Sequence, residues 1–242
     1  MTTPVNQIAA ASVDGWLARL GRSLWPPHCL LCGERGHAGL DLCPACRAEL
    51  PWQCHACAHC ALPLAVAAEA CGDCLQRPPP QANTRAAFVY RAPLDRLLPR
   101  AKFHGDLASA RLLAQLMAPA LAGADRPQAL LPVPLHPGRL RRRGYDQALE
   151  LARPLAQQLG LPLRDDLLQR VRATAPQSRL DAGQRQRNLR GAFAVRTGAG
   201  LPTHVAVVDD VMTTGATVQA AARALRHAGV ARVDVWVCAR VP

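Results

Sequence analysis

Residues 205–217 read VAVVDDVMTTGAT, and their chemistry changes twice within one short stretch. The four apolar residues Val205–Val208 have the unbroken hydrophobicity of a strand buried on both faces. Two adjacent aspartates follow, then a run of small and hydroxylic residues, and a helical pattern occupies about Ala216 to His227. A strand-to-helix turn of this kind suits an anion. It exposes backbone N–H groups, carries little side-chain bulk, supplies hydroxyls, and lies at the positive end of the next helix. Thr213, Thr214, Gly215, Ala216 and Thr217 meet those needs, with Gly215 expected to leave room for the ligand's approach. Asp209 and Asp210 fall at the carboxyl end of the strand, where open α/β sheets bind ligands. Carboxylates beside a phosphate cradle repel the phosphate unless they serve another part of the same ligand, so sugar hydroxyls or a metal are expected between them.

Outward from this stretch, strand-like and helical runs alternate. AAFVY is strand-like, LASARLLAQLMAPAL helical, ALLPVPL strand-like and YDQALELARPLAQQL helical; LLQRVRA, AFAV and HVAVVDD follow, and VDVWVCA closes the chain. Strands alternating with helices of this length predict an α/β fold with a mostly parallel sheet covered on both faces. Pro78–Pro80 form a stiff spacer before the first strand. The boundary is therefore placed there, with residues 1–80 as one module and 81–242 as the other.

The front module contains a strict repeat. Cys29, Cys32, Cys43 and Cys46 recur 28 positions later as Cys57, Cys60, Cys71 and Cys74. Two CxxC turns can close a tetrahedral site around one zinc ion, the segment between them supplying a hairpin. Two structural zinc sites of four cysteines each are expected, paired either in sequence or cross-braced. Cys54, His28 and His55 have no counterpart in the other copy and are left out of the ligand set. Cys238, in an apolar strand, reads as a core residue. Clustered thiols with no export signal point to a reducing compartment, and no run approaches a membrane span. The expectation is a cytoplasmic protein without membrane insertion.

The net charge of +12 is carried entirely by the second module: residues 1–80 hold five Arg against six Asp and Glu, a sum of −1, which leaves +13 for the rest. Lys102 is the only lysine. Such a basic domain suits phosphorylated ligands or nucleic acid.

The hydrophobic strand, paired acids and TTG-x-T of the opening stretch resemble the diphosphate-sugar signature of type I phosphoribosyltransferases, which bind 5-phosphoribosyl-1-diphosphate (PRPP). The resemblance implies a Rossmann-like domain in which Asp209 and Asp210 hold the ribose hydroxyls, and are the residues expected to carry catalysis, while Thr213–Thr217 cradle the 5-phosphate. From about Cys29 onward the cysteine modules, CGDCLQRPPP, AKFHGD, LPVPLHPGRLRRRGYDQ and RATAPQSRLDAGQRQRN follow one another as in the ComF/GntX family, which is associated with competence and DNA uptake. That resemblance implies PRPP bound with magnesium, pyrophosphate displaced onto a nitrogenous acceptor, and single-stranded DNA and a DNA-uptake or helicase protein as partners. Asp146 departs from it, since the family usually has Asn before Gln147. A rival reading keeps the PRPP fold as a non-catalytic sensor that handles single-stranded DNA, with the zinc module as adaptor.

By the same resemblance, Val133–His136 lie where such enzymes place the diphosphate loop. Arg143, with Arg139, Arg141 and Arg142, follows it, and arginine can grip phosphate bidentately. Lys102 offers a point charge to the diphosphate. The polar, arginine-rich segment 170–190, with Thr174, Gln177 and Asn188, reads as a lid. His104 and His136 are left out of the site.

Overall fold

The computed structural model describes residues 26–103, 105–173, 189, 191–196 and 200–242. The chain divides into two compact units, residues 1–48 and 49–242. In the first, antiparallel bridges His28–Arg35 and His37–Leu40 form a small hairpin ribbon. Helix α1 (Pro44–Ala48) follows Cys43 and carries Cys46. The larger unit contains the second cysteine quartet, with its own helix α2 (Gly72–Gln76), together with the α/β domain.

Among the described residues, four strands make the central sheet: β1 (Thr84–Val89), β2 (Ala129–Pro132), β5 (His204–Met212) and β6 (Arg232–Arg240), in the order β1-β6-β5-β2. Every neighbouring pair is parallel. The long inner strands are buried along nearly their whole length, as their continuous apolar runs require. Around the sheet lie helices α3 (Leu94–Phe103), α4 (Leu107–Leu121), α5 (Pro137–Arg143), α6 (Gln147–Leu159) and α7 (Ala216–His227). Helix α7 buries Ala216, Val218, Ala221, Ala222 and Leu225, one helical stripe, against Val205, Val207, Val233, Val235 and Val237. Each fully buried valine or leucine side chain there contributes about 1.5–3 kcal/mol of transfer free energy. The alternate residues Ala206, Val208, Trp236 and Cys238 are buried as well and point to the opposite face. There α6 packs on β5 and β2, and α4 on β1 and β6. The sheet is therefore mostly covered on both faces, and Cys238 is a core residue, as expected.

The helices expected at Leu107–Leu121 and Ala216–His227 occur with those bounds. Two runs read as strands leave the main sheet. β3 (Leu168–Arg170) and β4 (Phe193–Val195) pair antiparallel as a separate ribbon. Gln169 faces out between buried Leu168 and Arg170, an alternation that suits a one-sided ribbon rather than a doubly covered strand. Residues 137–143, which carry the arginines expected after the diphosphate loop, form α5. Pro137 opens that helix, His136 Nδ1 accepts from Gly138 N at 3.2 Å, and Gly144 closes it in the left-handed conformation at φ 84°. Among the described residues, no helix is long and apolar enough to cross a membrane.

Candidate functional site

Each cysteine quartet converges on a point. The four Sγ atoms of Cys29, Cys32, Cys43 and Cys46 lie within 4.8 Å of one another, as do those of Cys57, Cys60, Cys71 and Cys74. Pairing is therefore sequential, with each ribbon closing its own site. A tetrahedron with Zn–S bonds of ~2.3 Å has edges of ~3.8 Å. Cys32–Cys43 and Cys60–Cys71 are both 3.7 Å apart. Backbone N–H groups also reach the sulfurs, Cys46 N to Cys43 Sγ at 3.4 Å and Cys71 N to Cys57 Sγ at 3.2 Å, as they do around thiolates that hold a metal. In each quartet one thiol is set to ionise readily. Burial opposes it, but backbone N–H bonds outweigh burial and bring Cys29 to about 6 and Cys57 to about 7. Burial and then the surrounding sulfurs push Cys46 and Cys74 the other way, a crowding that a dication relieves. The donor sets fit zinc. Cys54 is exposed and outside both quartets.

The second candidate site lies at the carboxyl ends of the parallel strands. Asp209 and Asp210, only 8% and 6% exposed, lie near the end of β5. Asp209 Oδ1 accepts from Asp210 N at 2.9 Å. Thr213 and Thr214 are exposed just beyond the strand, and Ala216 and Thr217 begin α7. Thr214 Oγ1 accepts from Ala216 N at 3.5 Å. Gly215 is also required by the packing of the turn itself. It has φ 76°, and a Cβ there would meet Met212 Cε at 2.5 Å and Gln219 Nε2 at 3.3 Å, so the protein's own packing fills the space.

Lys102 reaches this acid pair from α3: its Nζ lies 2.8 Å from Asp210 Oδ2. The α3–α4 junction that carries it is tied by Asp106, which caps α4 by accepting from Ser109 N at 3.1 Å and takes Arg100 Nε at 2.9 Å. Burial works against the Lys102 charge, but the Asp210 and Asp209 carboxylates outweigh it and hold its pKa above the ordinary value. Burial, and then the Asp210 charge, push the Asp209 carboxyl well above the usual range against the pull of Lys102.

Arg143 is half-buried, donates to Gln147 Oε1, and acts on Lys102 as a nearby like charge. Arg139 lies near enough to Arg143 and Arg142 for their charges, after burial, to depress its pKa. The sequence expectations for Lys102 and Arg143 thus lead to one neighbourhood, and Arg170 and Asp146 stand in it too. Buried Arg170, whose guanidinium lies 5.5 Å over the Phe193 ring, feels the charges of Arg139, Asp209 and Asp146. Asp146 accepts from Leu135 N at 2.8 Å, Ala148 N at 3.0 Å and Leu149 N at 3.3 Å, so it caps α6 and clasps the loop after β2 at once. The carboxylate accepts all three bonds, and no amide donor is needed there. Burial and Asp210 nonetheless raise its pKa, although the three N–H bonds oppose them. An N-cap signal, Asp ahead of a helical run, marked Asp146 in the sequence; Arg170 is the first residue of the segment read as a lid, and it ends β3. His104, Thr174, Gln177 and Asn188 lie outside the described residues, as does most of the segment read as a lid.

Residues 20–75 match the double zinc ribbon domain family, and residues 146–242 match the phosphoribosyl transferase domain family. The chain is similar to a DNA utilization protein YhgH of Salmonella typhimurium, 39% identical over 225 residues that cover 89% of this chain and 97% of the relative. It is similar to Competence protein F of Haemophilus influenzae, 35% identical over 88% of this chain and 96% of the relative. Competence protein ComFC of Streptococcus pneumoniae is 27% identical over 64% of this chain and 67% of its own length. Identity at this level along nearly full-length relatives, together with a double zinc ribbon and a parallel α/β phosphoribosyltransferase domain in one chain, places the protein in the ComF/GntX family.

Proposed function

We propose that the protein binds PRPP at the carboxyl ends of β5 and β2 and displaces pyrophosphate from it onto a nitrogenous acceptor. The observation that carries this reading is the order of groups at the end of β5: a buried acid pair, then exposed threonines and the N-terminus of α7, with Lys102 brought onto Asp210. In this reading Asp209 and Asp210 hold the ribose hydroxyls. Thr213, Thr214, Gly215, Ala216 and Thr217 receive the 5-phosphate through backbone N–H groups and hydroxyls. The diphosphate lies toward Val133–His136, within reach of Lys102 and Arg143. The acid pair and the diphosphate oxygens form a donor set suited to magnesium, whose chemistry when bound is to neutralise charge on the diphosphate.

Catalysis in this reading is positioning. The aspartates and the turn fix the sugar, while Lys102 and Arg143 stabilise charge that grows on the departing diphosphate as the bond to the anomeric carbon breaks. Residues 1–80 form the zinc module and 81–242 the transferase domain, in a protein working in the cytoplasm. Calorimetric titration of PRPP with magnesium, followed by assays for pyrophosphate release across nitrogenous bases, tests the proposal. A parent protein that gave no heat of binding would end it.

The charge distribution favours a second reading. Residues 81–242 sum to +13. A non-catalytic PRPP sensor that handles single-stranded DNA for a DNA-uptake or helicase partner would use that surface. PRPP binding without pyrophosphate release, together with steeply salt-dependent DNA binding by residues 81–242, would favour it over the enzyme.

A further inference from the structure

Met212 ends β5 directly ahead of the threonine turn, and its carbonyl is held by the end of β6. It accepts from Val241 N at 3.0 Å and from Arg240 Nη1 at 3.3 Å. The Met212 side chain is buried beneath the turn, where its methyl fills the space next to Gly215. Whatever fixes Met212 therefore fixes the start of the Thr213–Thr217 turn.

Arg240 is only 8% exposed, an expensive place for a charge without compensation. Its Nη1 also reaches the Val241 carbonyl, and its Nε donates to the Cys60 carbonyl at 3.0 Å. Cys60 belongs to the second quartet and packs against the hydrophobic core. One guanidinium thus joins a metal-ligand residue to the residue that launches the turn. The rest of the same knuckle is held by the α/β domain too. Thr84 N donates to Ala58 O at 2.7 Å, and His59 O accepts from Thr84 Oγ1 at 2.7 Å and from Gln81 Nε2 at 3.1 Å. The carbonyls of Ala58, His59 and Cys60 are all received by the domain, so the knuckle has little freedom to shift alone. Four thiolates around a dication leave a net charge of about −2, a complement for the buried guanidinium.

We propose that Arg240 is a positioning residue that couples the second zinc site to the sugar-phosphate turn, so that the loaded Cys57–Cys60–Cys71–Cys74 quartet keeps Thr213–Thr217 in its ligand-binding form. The ligand named in this coupling rests on the PRPP reading; the tie between quartet and turn does not. Such coupling is reciprocal. If zinc strengthens ligand binding at the turn, the ligand strengthens zinc binding at this quartet by the same factor.

Three measurements on the full chain test the proposal, with Arg240→Met preserving apolar bulk and Arg240→Lys preserving the charge. Amide exchange at Thr213–Ala216, measured without ligand, is expected to rise roughly tenfold in Arg240→Met, with two zinc ions retained and core exchange unchanged, and to rise less in Arg240→Lys. PRPP affinity is expected to fall roughly tenfold or more in Arg240→Met. In the parent, PRPP with magnesium is expected to slow the transfer of one of the two zinc ions to a zinc-selective chelator, and Arg240→Met should abolish that protection. Parent-like exchange of the turn in Arg240→Met would overturn the proposal, as would protection that survives the substitution. If Arg240→Met failed to fold, Arg240→Lys and zinc release from the parent would decide in the same way. If the parent gave no heat with PRPP while exchange at the turn still responded to Arg240, the coupling would stand and the PRPP reading would fall.

Discussion

Lys102 Nζ lies 2.8 Å from Asp210 Oδ2, which pairs the chain's single lysine with an acid at the end of β5. Their side chains are 30% and 9% exposed, so the pair is partly shielded from water. Removing the lysine leaves two adjacent buried carboxylates with less compensation. Lys102→Met is therefore expected to lower folding stability by about 1–3 kcal/mol, the range for losing a hydrogen bond to a charged, poorly hydrated partner. Adding Asp210→Asn should recover much of that loss. Urea denaturation of the two single variants and the double variant gives the coupling energy, and strictly additive single effects would mean that the pair contributes nothing.

The same carboxylates are expected to carry sugar recognition. Asp209→Asn with Asp210→Asn keeps side-chain volume at the strand end, so the fold and the zinc content should survive. Each charge-assisted bond to a hydroxyl is worth roughly 1.5–3 kcal/mol, so PRPP affinity should fall by about two decades or more. Calorimetry that gave parent affinity for this variant would reduce the pair to structural roles.

Asp209 is expected to make that affinity depend on pH. Its folded-state pKa is raised by burial and by Asp210, so the free protein holds a proton on it to a higher pH than an ordinary carboxyl would. A ligand that needs the ionised form must displace that proton. Affinity should then rise with pH through the raised pKa and level off above it, with net proton release when titrations are compared in buffers of different ionisation enthalpy. The sign for stability is opposite: the raised pKa lowers stability as pH rises from the ordinary carboxylate range through the folded value. Asp209→Asn should therefore melt higher than the parent at neutral pH while losing the pH dependence of binding.

Much of this was legible in the chain. The parallel α/β core could be read because β5 and β6 are continuously apolar and α7 has a clean helical stripe, signals that belong to single elements. The eight zinc ligands could be read because a 28-residue offset reproduces their spacing. Arg240 could not be, because its partner Cys60 is far away in sequence and only folding brings the two together. α5 had local signals that its phosphate-gripping arginines drew attention away from: arginine is a good helix former, Pro137 suits a first helical position and Gly144 a last.

Gly215 provides a test that separates packing from ligand approach. At φ 76° with Met212 Cε 2.5 Å from any added Cβ, even Gly215→Ala strains the free protein. A loss of about 1–2 kcal/mol in folding stability is expected before any ligand is added. Equilibrium unfolding without ligand measures it, and an unchanged midpoint would show that the turn relaxes around the methyl group.

The two zinc sites should differ in what their loss does. About two zinc ions per chain are expected by elemental analysis, with Cys54→Ser leaving the number unchanged, because Cys54 stands outside both quartets. The second quartet shares a compact unit with the α/β domain, and its knuckle carbonyls accept from Thr84, Gln81 and Arg240. Zinc bound there contributes directly to the folding free energy of that unit. Cys57→Ser is therefore expected to lower the melting temperature of the α/β domain by roughly 10 °C, as a loss of about 3–5 kcal/mol does in a unit of this size. The first quartet lies in the other unit, so Cys29→Ser should remove one zinc and leave that transition nearly in place. Calorimetric melts of the two variants, each with its zinc content measured, decide the matter. Equal losses from both would show that the ribbons fold as one with the domain, and no loss from Cys57→Ser would show that the core holds the knuckle without its metal.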